Sequence, residues 1–522
     1  MIAHLLGLAA ANLCFLAAGA GMGRALGLWR APRELPGVAA PVYLVGVAAV
    51  GILAEWALVA GLDLARWQVV AGCAALAATG LLPARGGGPT LPSPARVRAR
   101  AVVALQAAVG LIVALLLIDA VYRPLAEWDA WAMWTMKAKA ITLLGGLDAG
   151  VFAGVPYRHL HLDYPLLLPA VEAIGFRFMG AIDTQVIHVQ AALLTAALVL
   201  SLPRLLAGRV PPVVAWASAL LIAVAPSLVD QAGAGLADAP LAVFFAMAAV
   251  CAWRWLADGR DEMLVLVALF AAAVLATKRE GTPFVVALIV VLVVAAGRGR
   301  RLAAVGAGVA ALATAVPWQL WLHANGVDTS NGEIPYAKVI DPGYLAGRLG
   351  RIPTGAGSLV WHALQPGAWL VIVPAAAVAV VLAARGGERR TAVFVAAVAC
   401  LVLVSVVWAY WVGRPSLHYY LQHSARRVVT TPVVLLGAFL RCSWWRRRAD
   451  EPVTGRPDGD RRRPCGHPHG RRRRRAGAPA RRDRPAARRC RQGLADLRPA
   501  ARRGRRPPGR RPGAGRALPH VR

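Results

Sequence analysis

Apolar residues run through this chain in long blocks separated by short polar linkers. Thirteen blocks stand out, at 2–22, 41–62, 67–83, 101–121, 187–206, 211–229, 239–257, 264–277, 283–297, 303–321, 368–384, 391–413 and 429–440. A helix needs about 20 apolar residues to cross the hydrocarbon core of a bilayer, and most of the blocks come close. Lipid offers no partner for free backbone groups, so the blocks are expected to be helical. The pattern predicts an all-α integral membrane protein with about 13 transmembrane helices. The block 264–277 is short for a full crossing and needs tilt or help from its flanks. Met1 to Met22 is as apolar as a signal peptide, but it lacks a charged start and a clear cleavage site, so it reads as the first span.

The linkers set the orientation. Basic residues cluster at Arg24/Arg30/Arg33, Arg85/Arg96/Arg98/Arg100, Arg204/Arg209, Arg254/Arg260, Arg298/Arg300/Arg301 and Arg385/Arg389/Arg390. With thirteen spans all of these fall on one side, which the positive-inside rule makes cytoplasmic. The alternation holds only if 165–180 does not cross. Its prolines, Glu172 and Arg177 suit a helix that lies at the membrane surface or dips in and returns. The chain then divides into N-terminal transmembrane helices (1–121), a periplasmic catalytic loop with surface helices (122–186), further transmembrane helices with outer loops (187–440) and an Arg/Pro/Gly-rich tail (441–522). All four lysines, Lys137, Lys139, Lys278 and Lys338, land on the outward face, where cations are normally scarce.

Composition changes this picture in two places. Charged residues make up 16% of the chain, against about 25% in soluble domains, so charge outside the linkers marks function or access to water. Of the net charge of +33, the tail holds +22, with 28 arginines against 6 acids, and the basic balance therefore says little about ligands of the main body. The tail lacks Ile, Phe, Tyr, Met, Asn and Lys, cannot bury a core and reads as disordered. It is either a cytoplasmic arm for anionic lipid or nucleic acid, or the product of a reading frame that slips near Ser443 in GC-rich DNA. The slip is favoured, and no nucleic-acid partner is assigned. Cys14, Cys73, Cys251 and Cys400 lie in apolar blocks and Cys442, Cys465 and Cys490 in the tail, which leaves no outward disulfide framework. No CxxC supports a zinc site.

Candidate chemistry concentrates between Glu127 and Pro169. Glu127 and Asp129 closely follow a span. Asp129 is the candidate general base, taking a proton from an attacking acceptor hydroxyl, and Glu127 orients it or binds the acceptor. The plainer reading is a solvated pair at the membrane boundary. Trp128, Trp131 and Trp134 recur every three residues and predict a helical stripe, more in keeping with an interfacial aromatic belt than with a sugar platform. Lys137 and Lys139 are candidate substrate contacts, as are His161, Asp163 and Tyr164. His159, His161 and Asp163 alternate, so an extended segment would aim all three one way, toward a metal or an acceptor. Two histidines and one acid are too few to claim a metal, and a hydrogen-bonded polar loop is the plainer outcome.

Further along, Asp238 opens a span with Pro240 close behind, either as a helix cap or facing the same cavity as Asp129. Thr277-Lys278-Arg279-Glu280-Gly281 ends the short block. Adjacent Lys278 and Arg279 suit a phosphate or diphosphate, with Glu280 beside them; snorkelling to lipid headgroups is the alternative. His418, Tyr419, Tyr420, His423, Arg426 and Arg427 form a last cluster, in which Arg426 and Arg427 are further candidate anion contacts. No GxGxxG, P-loop, HExxH or GxSxG supports a nucleotide, zinc or serine-nucleophile mechanism.

In order, the acidic pair after an early span, the segment His161-x-Asp163-Tyr164-Pro165-Leu-Leu-Leu-Pro169, Asp238-x-Pro240 and Thr277-Lys278-x-x-Gly281 resemble the polytopic glycosyltransferases of the C-type fold. These include glycosyltransferase family 39, the protein O-mannosyltransferases and the bacterial lipid A aminoarabinose transferases. The resemblance runs roughly from Val121 to Leu440. It implies a sugar on a polyprenyl phosphate as donor, use of that donor on the periplasmic face of a bacterial inner membrane, and inverting transfer with a first-loop Asp as base. On this chain Asp129 matches that base, with Glu127 nearby, and Lys278 and Arg279 match the residues that hold the donor phosphate. The chain departs from the pattern in having E-W-D rather than adjacent acids, in the number of spans before the loop, and in a C-terminal soluble domain that is absent or lost to the tail. The acceptor therefore stays open among lipid, glycan and protein. No cofactor is assigned, and a divalent cation is left open. The rival reading is a transporter or flippase of lipid-linked glycans, which would place charge at span centres; a non-catalytic membrane scaffold is the third.

Overall fold

The computed structural model describes residues 1–83, 99–327 and 334–440, all within the unit Met1–Thr454. The tail from 441 onward, with its disorder and frame-slip readings, and Arg85, Arg96 and Arg98 lie outside the described residues.

Among the described residues every regular element is a helix, and each apolar block contains at least one. Seven helices are long and apolar enough to cross a membrane: Ile2–Ala25, Pro32–Val59, Arg100–Tyr122, Val186–Leu205, Asp238–Asp258, Arg298–Ala324 and Arg389–Val412. A pair bent by 58°, Pro212–Ala223 and Pro226–Gly233, raises this to eight if it counts as one span. By length and composition alone the described residues hold seven or eight such spans, and the expected count of about thirteen is not confirmed. Several blocks are cut short. Pro226 lacks an amide hydrogen and starts a new helix, which bends the block at 211–229. Gly281–Ala295 and Ile372–Arg385 stay apolar but short.

The Asp238–Asp258 helix is the axis of the bundle. Every residue from Asp238 to Trp255 is buried, and the helix packs against Asp261–Thr277, Thr430–Ala438 and Val189–Leu205. At the N-terminal side, Ile2–Ala25 and Leu35–Val59 cross so closely that a Cβ on Gly19 would run into the carbonyl of Val42, and one on Gly46 into that of Phe15. Small residues let membrane helices approach in this way.

The Leu167–Met179 helix is buried along almost its whole length against Ile2–Ala25, Leu35–Val59 and Met136–Leu144. At 13 residues it is too short to cross, so its apolar side chains are covered by protein instead of lipid. Glu172 is carried inside with it, and burial pushes its carboxyl up to about 8 against a hydrogen bond with Thr135.

Candidate active site

Asp129 opens a π-helical segment, Asp129–Thr135. Such turns, with i→i+5 bonding, are rare and recur at functional sites. The wider turn divides the tryptophans. Trp128 and Trp131 are exposed and meet edge to face at 4.9 Å, whereas Trp134 is buried edge-on against Tyr164 at 5.6 Å. The single aromatic stripe expected from the three-residue spacing is therefore absent. The segment is seated by two small apolar clusters, Ala130 with Ala234 and Leu236, and Met133 and Trp134 with Tyr164, Leu168 and Ala237. Asp129 thus rests on the turn that leads into Asp238. That turn passes through Gly235 at φ +71°, a left-handed conformation that glycine adopts without strain.

A chain of ion pairs follows. Arg427 Nη1 lies 2.6 Å from Asp129 Oδ2, and Arg427 Nε 3.8 Å from Asp238 Oδ2. Lys278 Nζ lies 2.9 Å from Asp238 Oδ1 and 3.4 Å from Glu280 Oε1. The Tyr164 hydroxyl donates to the same Glu280 oxygen at 3.3 Å. Five distant segments meet here. Asp238 makes no helix cap: the preceding Ala237 is the N-cap without a side-chain bond, and the Asp238 carboxylate is turned to Lys278. Burial alone would lower the Lys278 ammonium, but Asp238 and Glu280 outweigh it and hold its pKa above the usual lysine value. Burial likewise opposes, and Asp238 and Asp129 outweigh, the rise at Arg427. Removing one member of a buried pair strands the other, at a cost of about 3–5 kcal/mol.

Lys278 and Arg279 do not share a partner. The backbone at Lys278 is extended, with φ −152° and ψ 148°, so the two side chains diverge. Arg279 instead pairs with Asp163 and donates to the Tyr336 hydroxyl at 3.0 Å. The cations that share a partner are Lys278 and Arg427, both on Asp238. Arg426, its neighbour, is exposed, as is Glu127, and neither side chain has a polar partner among the described residues; Lys139 is half-buried and likewise unpartnered.

The alternating His159, His161 and Asp163 do not share a direction either. Val155–Leu160 is a 3-10 helix with Pro156 near its start, and His161 takes a left-handed φ of 49°. His159 is exposed, with Nδ1 3.2 Å from the Pro156 carbonyl. Asp163 is buried against Arg279, and His161 meets Tyr164 edge-on at 5.3 Å. Burial holds the His161 imidazole below its usual pKa, against the pull of Asp163. Lys137 is fully buried, and its ammonium donates to the carbonyls of His161 at 2.6 Å and Tyr164 at 3.4 Å. It pins the 161–164 turn, and burial pushes it down to about 7, with Asp163 opposing. Among the described residues no group of three or more His, Cys, Asp or Glu side chains could hold a metal ion.

Sequence reasoning missed Tyr336 and Tyr410. Tyr336 sits two residues from Lys338 in a polar loop, a faint signal at best. Tyr410 lies near the end of the Arg389–Val412 helix, where aromatic residues are unremarkable. Its hydroxyl shares a hydrogen bond with Ser424 at 2.8 Å, and it feels the charges of Glu280, Arg427 and Lys278.

Residues 163–321 match the family model for dolichyl-phosphate-mannose-protein mannosyltransferase. The match supports a membrane glycosyltransferase of the mannosyltransferase type. It agrees with the C-type-fold resemblance carried by the motifs. It takes in Asp163, Tyr164, Asp238, Lys278, Arg279 and Glu280, and it leaves out Asp129 and Arg427. No curated protein and no solved structure matches the chain.

Proposed function

We propose that this chain transfers a sugar from a polyprenyl-phosphate donor to a hydroxyl of a lipid, glycan or protein acceptor, with Asp129 as general base. The observation that carries the reading is the chain of ion pairs from Asp129 through Arg427 and Asp238 to Lys278. It supports the reading because a carboxylate and two cations, the groups that proton transfer and phosphate binding call for, lie in one network. The acceptor oxygen attacks the anomeric carbon, the bond from that carbon to the phosphate oxygen breaks, and polyprenyl phosphate leaves with the bonding pair. The acceptor proton passes to Asp129. Lys278 and Arg427 meet the charge that grows on the leaving phosphate. Arg279, tied to Asp163 and Tyr336, supports the wall of the site instead.

The site faces the outside of a bacterial inner membrane in this reading. What supports that side is the far end of the bundle, where Arg204, Arg209, Arg254 and Arg300 come from the basic linkers, as the positive-inside rule requires of a cytoplasmic face. The test is transfer of label from polyprenyl-phosphate mannose in membranes holding wild type or Asp129→Asn. Transfer by wild type and its loss in the variant, at equal protein level, is the expected result. Full activity in Asp129→Asn would remove the general-base assignment.

A further inference from the structure

We propose that Arg427 masks Asp129 until a lipid phosphate arrives, so that donor binding itself frees the base. This deepens the reading above and rests on Lys278 and Arg427 forming the phosphate subsite. Arg427 stands between two carboxylates, with Nη1 on Asp129 at 2.6 Å and Nε 3.8 Å from Asp238. Its Nε–H is buried and makes no hydrogen bond, a donor left over for an incoming oxygen. The cluster is already short of positive charge, with Asp129, Asp238 and Glu280 against Lys278 and Arg427. A phosphate that first engages the free Nε–H therefore competes with a carboxylate for the rest of the guanidinium.

The structure points to which one leaves. The Asp238 side chain is 6% exposed and gripped by Lys278 as well, so moving it would strand a second buried charge. The Asp129 side chain is 23% exposed, pairs with Arg427 alone among the described residues, and sits on the first residue of a π-turn. A partly exposed pair is the weaker tie. While it holds, Arg427 occupies the Asp129 oxygen that would take the acceptor proton. Once phosphate takes Arg427, that oxygen is open beside a seated donor.

The experiment uses the full chain in nanodiscs, with farnesyl phosphate as probe and a hydrophobic carbodiimide as carboxyl label, adducts at Asp129 being counted by mass spectrometry. Binding of the probe is measured in parallel. Farnesyl phosphate is expected to bind wild type and to raise Asp129 labelling several-fold. Arg427→Gln is expected to label strongly without the probe and to respond little to it, and Arg427→Lys to fall between. Failure of the probe to bind would overturn the phosphate subsite and this proposal together. Binding with unchanged or lower Asp129 labelling would overturn the masking alone and leave the subsite standing. Variants are compared only where circular dichroism and elution match wild type; if Arg427→Gln fails that check, Arg427→Lys and the wild-type response decide the matter.

Discussion

The Asp238–Asp258 helix carries an ion cluster at each end, and the two are built differently. The helix has 21 residues, so its ends stand about 30 Å apart, close to the depth of a bilayer core. At the C-terminal end, Asp258 takes Arg254 Nε at 2.8 Å, one turn away, and also pairs with Arg209. Each arginine also donates to backbone: Arg209 to the Ala257 carbonyl at 3.0 Å and Arg254 to that of Ala207 at 3.0 Å. Arg300 stacks on Trp255 at 3.9 Å. These are arginines anchoring helix C-termini, where the macrodipole favours cations. At the N-terminal end the partners come from distant segments, carboxylates outnumber cations, and Asp129 and Arg427 keep some access to solvent. One end is a fastening. The other is a set of charges that an anion can rearrange.

Replacing one acid at each end breaks the comparison most sharply. Asp129→Asn should cut transfer by about 100-fold or more, the range of general-base loss, while Asp258→Asn should leave the rate per folded molecule nearly unchanged and lower thermal stability through the stranded Arg254. Equal rate losses would mean that both ends take part in chemistry. Next comes the buried pair. Lys278→Met should destabilise the protein by about 3–5 kcal/mol in detergent melts, and Asp238→Asn/Lys278→Met should recover much of that stability without activity. A double variant that stays as unstable as the single would show that the pair is not what holds this end together.

A smaller effect is expected with pH. Folding holds Lys137 near 7, well below its usual value, so above that pH the unfolded chain binds more protons than the folded one. Stability should therefore rise as pH increases from about 7 toward the ordinary lysine range, by at most about 1.4 kcal/mol per unit. Lys137→Met should remove that slope from the melting temperatures measured between pH 7 and 9; a slope that persists would assign it to another group. Smallest of all, Glu127→Gln and Arg426→Gln should change stability and transfer by no more than about two- to threefold, as exposed residues without partners do. A large loss in either would move the site outward along the same two segments.

Near neighbours of like charge part company in the fold. Glu127 and Asp129, Lys278 and Arg279, and Arg426 and Arg427 read as pairs along the chain. In each, one member is inside the network and the other is exposed or committed elsewhere. Backbone geometry decides this: an extended residue at Lys278 and a π-turn at Asp129 set neighbouring side chains apart. The same cause dissolved the tryptophan stripe and the alternating His159, His161 and Asp163. Periodicity reports direction only when the local conformation is known.

By itself the sequence determined the solvent and the class of fold. Long apolar blocks can satisfy their backbones in lipid only as helices, and that holds whatever the packing. It also determined which residues are costly enough to matter, because charge is rare here and expensive inside a membrane protein. Tertiary structure alone decided that Asp129 meets Arg427, that Lys278 shares Asp238 with that arginine rather than with Arg279, and that Leu167–Met179 is covered by protein. Those contacts join segments far apart in the chain, and no local rule of spacing carries information across that distance; packing of the bundle supplies it.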